Sequence, residues 1–142
     1  MTNSVATKPD FYWSVRVYWE DTDAGGIVFY ANYLKFFERA RTEWLRSRGI
    51  EQRLTCVSTG GMFVVSEAKV RYLRPARLDD ALLVTSRPVI TGQASMTIAQ
   101  QIFLKTPSEP VLLCDGTIRA GWVNTQTYKP EKIPSFILEA LL

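Results

Sequence analysis

The sequence predicts an α+β fold in which a curled antiparallel sheet of about five strands wraps one long helix. Three observations carry this. Residues 32–48 hold a single strong helical pattern, with one strand-like segment before it and four after it. The later segments are joined by short connections, which makes consecutive strands antiparallel neighbours around the one helix available to cover them. Several of these segments reach ten residues or more, against the usual five or six, and wrapping a helix requires that length.

The elements follow in chain order. Residues 1–10, MTNSVATKPD, are polar and predict a flexible N-terminal tail, leaving 11–142 as a single domain. Residues 11–19 alternate, with Val15 and Val17 on one side and Ser14 and Arg16 on the other, so they predict a strand. Residues 20–28 form an acidic, glycine-rich turn. Tyr33, Phe36, Phe37, Ala40 and Trp44 then recur at helical spacing on one face, while Lys35, Glu38, Arg39, Arg41, Thr42, Glu43 and Arg46 take the other. Asn32 is the N-cap candidate, and Gly49 stands where a helix commonly ends in the left-handed conformation. Residues 50–61 show no sustained period and predict a loop, with or without a helical turn. Residues 62–73 and 81–90 predict strands, the first ended by Pro75 and the second introduced by Asp79 and Asp80. Residues 91–95 read as a hairpin connection. In the next strand Met96, Ile98, Gln100, Ile102 and Leu104 share one face. After the 106–110 turn, residues 111–124 form the last strand. A short helix follows Pro134, packed through Phe136, Ile137, Leu141 and Leu142.

Composition removes several function classes. The 142 residues carry a net charge of +3, too mild for a nucleic-acid partner but compatible with a small phosphorylated ligand. No run of about eighteen apolar residues exists, so no stable membrane insertion is expected. The N-terminus lacks the apolar centre of a secretory signal, which points to the cytoplasm, where Cys56 and Cys114 remain free thiols. There is no histidine. Ser-His and Cys-His nucleophiles and histidine metal sites are therefore excluded, and carboxylates, hydroxyls or backbone N–H groups must carry any chemistry.

The chemistry concentrates at Glu20-Asp21-Thr22-Asp23-Ala24-Gly25-Gly26. A solvated turn and an active-site turn both fit this bare pattern. A calcium loop of the EF-hand kind does not, since its fifth and twelfth positions would be Gly25 and Asn32. An aspartate pair of the phosphatase kind needs alternating strands and helices that are not present. The turn leads into a helix N-terminus, whose unpaired N–H groups and dipole favour negative charge.

The run from Asp21 to Tyr33, continued by Glu38-Arg39-Ala40-Arg41-Thr42-Glu43 and by Val70 to Asp80, resembles the hotdog-fold acyl-CoA thioesterases, in particular the Tol-Pal-associated and 4-hydroxybenzoyl-CoA thioesterase groups. The resemblance spans about residues 14–130. It implies hydrolysis of an acyl-CoA thioester without cofactor or metal, with Asp23 as nucleophile or general base and the peptide N–H of Tyr30 polarising the carbonyl. It also implies substrate contacts from Gly25, Gly26 and Asn32, and a homo-oligomer, dimer or tetramer, with its site between subunits. Many Tol-Pal-associated members carry histidine where this chain has Tyr30, whereas the hydroxybenzoyl type carries tyrosine followed by asparagine, as in Tyr30-Ala31-Asn32. The acyl group stays open, as does an acyl carrier protein in place of coenzyme A.

Other residues take plainer readings. Arg74, with Arg71 and Arg77, suits coenzyme A phosphates or a solvated basic edge equally. Glu67 reads as an exposed strand residue, and Cys114 as core. An acyl-CoA or carrier-protein binding module without turnover is the alternative function.

Overall fold

The computed structural model describes residues 10–142; the tail predicted for 1–10 lies, Asp10 apart, outside the described residues. The chain runs β1 (Phe11–Arg16), α1 (Tyr33–Ser47), α2 (Gln52–Thr59), β2 (Gly61–Tyr72), β3 (Ala81–Thr91), β4 (Ser95–Leu104), β5 (Val111–Asn124) and α3 (Ser135–Leu141). The five strands form one antiparallel sheet in the order β1-β3-β4-β5-β2. It curls around α1, as the residue pattern predicts. Among the described residues no helix is long and apolar enough to cross a membrane.

The buried face of α1 consists of Tyr33, Phe36, Phe37, Ala40, Trp44 and Leu45. These side chains join two core clusters. Phe36, Phe37 and Ala40 pack with Leu82, Val84, Ile102 and Ile118, and Trp44 and Leu45 pack with Met96, Ile98, Trp122 and the α3 residues Ile137 and Leu141. Gly49 ends the helix at φ 81°, the left-handed geometry expected of it. Close approach of the sheet to α1 depends on Gly116, where a Cβ would come within 3.2 Å of the Phe37 ring.

Several expectations need correction. Residues 50–61 contain α2 rather than a loop; the helix buries no residue, so no apolar stripe marks it in the sequence. Asn32 does not cap α1, because its side chain makes no cap hydrogen bond and a 3-10 turn, Tyr30–Asn32, precedes the helix. At the C-terminal end, Ile137 and Leu141 of α3 are buried, but Phe136 and the following Leu142 are exposed. Arg41, placed by its spacing on the solvent face, is half-buried and donates to the fully buried Gln100, Nη1 to Oε1, at 2.9 Å. Gln100 Nε2 in turn donates to Phe37 O at 3.0 Å and Ser86 Oγ at 2.8 Å, linking α1 to β3 and β4.

At the start of β2, a Cβ on Gly61 would stand 2.5 Å from the Trp122 ring. Gly61→Ala is therefore expected to destabilise the fold by about 1–3 kcal/mol through overpacking, read as a lower midpoint of thermal unfolding. An unchanged midpoint would show that Trp122 moves aside freely.

Candidate active site

Two carboxylates in the turn meet opposite fates. Asp21 ends a 3-10 turn, Trp19–Asp21, and is 3% exposed. Its Oδ2 accepts the Tyr18 N–H at 2.8 Å and its Oδ1 accepts Asn32 Nδ2 at 2.9 Å. A buried carboxylate is tolerable only with such partners. Asp23, two residues on, is exposed. Its Oδ1 accepts the Gly25 N–H at 2.8 Å, and its Oδ2 has no hydrogen-bond partner among the described residues.

The backbone from Thr22 to Val28 is closed on itself. Asp23 N–H donates to Ile27 O at 2.9 Å, Gly26 N–H donates to Asp23 O at 3.0 Å, and Thr22 bridges Val28. Gly26 sits at φ 79°, a conformation that suits glycine. Phe29 N–H donates to Asp21 O at 3.0 Å, and Asn32 N–H donates to Phe29 O at 2.8 Å. The second bond fixes the plane of the Phe29–Tyr30 peptide. In a trans peptide the N–H points opposite to the C=O, so the Tyr30 N–H is aimed away from the first turn of the helix. Tyr30 also opens its 3-10 turn, so its N–H precedes the first intrahelical bond.

The 70–80 segment docks onto this turn. Ile27 bridges Arg77, and Val28 N–H donates to Ala76 O at 2.9 Å. Ala76 N–H donates to the Tyr33 hydroxyl at 3.0 Å, and the Tyr72 hydroxyl donates to Tyr30 O at 2.8 Å. Burial pushes the Tyr33 hydroxyl above its ordinary pKa, and burial also raises Cys114 to about 12, so its thiol stays neutral near neutral pH. The rings of Phe29, Tyr30 and Tyr72 form an exposed aromatic group beside the turn. Arg71, Arg74 and Arg77 are exposed on the docked segment. Among the described residues no cluster of acidic and thiol side chains could hold a metal ion.

The structure thus brings Asp23, Gly25, Gly26 and Tyr30 together on one short stretch and sets Arg74 on the neighbouring segment. Asn32 differs: it is buried, and its amide braces Asp21. Sequence reasoning missed that brace and the Tyr72 contact, since both join residues far apart in the chain.

Residues 25–111 match the sequence profile of the thioesterase superfamily. An acyl-CoA thioester hydrolase, YbgC, of Escherichia coli O6:H1 is 38% identical over 128 residues, covering 90% of this chain and 92% of the relative. A probable thioesterase of Bartonella henselae is 30% identical, with a TM-score of 0.79 over 89% of this chain and 100% of its own. A 4-hydroxybenzoyl-CoA thioesterase variant complexed with 4-hydroxybenzoyl-CoA superposes at a TM-score of 0.88 and 17% identity, over 94% of this chain and 99% of that one. This last likeness is one of fold, the hotdog fold.

Removing the brace leaves Asp21 buried with one donor fewer. Asn32→Ala is expected to lower stability by about 1–3 kcal/mol, read as an earlier urea midpoint at unchanged slope. Wild-type stability would mean that water replaces the amide without loss.

Proposed function

The chain belongs to the thioesterase superfamily, and from that membership we propose that it hydrolyses acyl-CoA thioesters to a carboxylate and free coenzyme A, as one domain over residues 11–142. The observation that supports Asp23 as the reactive group is its contrast with Asp21. One carboxylate is held inside the fold, while the other is exposed and oriented through Oδ1, its Oδ2 without a hydrogen-bond partner among the described residues.

Asp23 acts in one of two ways. As nucleophile, its oxygen bonds to the thioester carbon, the C–S bond breaks, the thiolate takes up a proton, and water hydrolyses the mixed anhydride to restore the carboxylate. As general base, it takes the proton of the water that adds to the carbonyl and returns it to the departing sulfur. Both routes gather negative charge on the carbonyl oxygen. We assign its stabilisation to the Tyr30 N–H, whose peptide plane is held by the Asn32 N–H bond to Phe29 O. Gly25 and Gly26 keep the approach free of side chains, and Arg74, with Arg71 and Arg77, is assigned to the phosphates of coenzyme A. Asn32 acts through Asp21, as a positioning residue. An acyl carrier protein could deliver the same thioester.

Among the described residues the sheet ends in two edges, and the twelve-residue β2 forms one of them. A long bare edge favours pairing. We assign it to an antiparallel β2–β2 contact in a twofold dimer, two of which make the tetramer implied by the family resemblance. Such pairing sets the Tyr72 end of one β2, which carries the catalytic turn, opposite the Gly61 end of the other.

Asp23→Asn is expected to keep the wild-type unfolding midpoint while turnover of acyl-CoA in a free-thiol assay falls about a hundred- to ten-thousandfold; near-wild-type hydrolysis would remove Asp23 from the mechanism. Sedimentation is expected to give at least twice the 16.1 kDa chain mass. A fully active monomer would exclude the shared-edge arrangement.

A further inference from the structure

A cavity of about 210 Å³ lies between the C-terminal half of α1 and the Phe63–Val65 part of β2. Trp44, Phe63, Met96, Ile98 and Ala120 make its walls mostly apolar. One half-buried charge interrupts them, the guanidinium of Arg41. Its hydrogen bond goes to Gln100 Oε1, and among the described residues no carboxylate lies within ion-pair distance of it. Burial lowers its pKa, and Glu38 partly offsets that.

A guanidinium has five N–H donors in a rigid fork. Gln100 is itself locked to Phe37 and Ser86, so it holds Arg41 in place while leaving donors for another acceptor. The nearest anionic candidate on the same wall, Glu38, is exposed at the mouth and accepts the Thr42 hydroxyl at 3.0 Å. A mostly apolar cavity, polar on the side of Glu38, Thr42 and Gln52 and holding one oriented cation, fits an apolar chain that ends in an acceptor group, and a carboxylate matches the fork with two parallel bonds.

We propose that this cavity is an acyl subsite and that Arg41 makes it selective for acyl groups whose far end is a carboxylate. This rests on the thioesterase reading and on the β2 pairing. Within one chain the catalytic turn and the cavity lie at opposite ends of α1, separated by roughly 16 Å of helix from Tyr33 to Trp44. Antiparallel pairing of β2 brings the partner's turn, tied to the Tyr72 end, toward the Phe63 end that lines this cavity. The thioester then sits at one protomer's Asp23 and its tail enters the other protomer.

The test compares kcat/KM for adipoyl-CoA and hexanoyl-CoA, which differ by the terminal carboxylate, in wild type, Arg41→Met and Arg41→Lys. Wild type is expected to favour adipoyl-CoA by about tenfold or more. Arg41→Met brings the ratio to about one, and Arg41→Lys, which keeps the charge without the fork, retains an intermediate ratio. A wild-type ratio near one, or a ratio unaltered in Arg41→Met, overturns the proposal. If neither six-carbon thioester is turned over, binding of hexanoate decides the cavity, and turnover of other acyl-CoA thioesters decides the thioesterase reading separately. Methyl NMR shifts at Met96 and Ile98 that disappear in Arg41→Met support a carboxylate site, and no shifts in wild type overturn it.

Discussion

The buried carboxylate of Asp21 draws together donors from both sides of the turn, the Tyr18 N–H that follows β1 and the Asn32 amide that precedes α1. Leaving either oxygen unpaired inside the fold would cost several times the net gain of an ordinary hydrogen bond. The turn is therefore closed at its base, and its other carboxylate, Asp23, lies exposed. The Phe29–Tyr30 peptide is ordered by the same closure, because Phe29 N–H binds Asp21 O. Satisfying one buried acid thus orders the backbone on both sides of the Asp23 turn.

Helix α1 gives this turn its rigid support and connects it with the rest of the molecule. Its first half lies in the core cluster that also holds Val28, Ala76 and Leu82, the residues under the turn and the segment docked on it. Its second half packs with Met96, Ile98 and α3 around the cavity. The Arg41–Gln100–Phe37 chain ties the middle of the helix to the sheet, at the junction of the two clusters. Strand β2 repeats this polarity, with Tyr72 at the turn and Phe63 at the cavity. Any antiparallel partner along that edge would exchange the two ends, which is the strand geometry the proposed shared site calls for.

Local pattern was enough for the elements whose residues face one core. The 3.6-residue repeat from Tyr33 to Trp44, the alternation from Met96 to Leu104 and the left-handed Gly49 each need only neighbouring residues to be understood, and the structure agrees with them within a residue or two. The same holds for the position of the acidic turn ahead of a helix. Helix α2 was not legible, because it buries no residue and leaves no apolar stripe.

By itself the sequence determined the fold class, the placement of Asp23, Gly25 and Gly26 in one turn just ahead of Tyr30 and the helix, and, through the absence of histidine, the kinds of group able to act there. Only the tertiary structure decided which aspartate is structural and which is exposed, that Asn32 braces rather than caps, and that Arg41 faces an apolar cavity. Each of those depends on a partner eleven or more residues away in the chain. Periodicity reports which face a side chain occupies, whereas the choice of hydrogen-bond partner is settled only when folding removes water and brings distant donors and acceptors within about 3 Å.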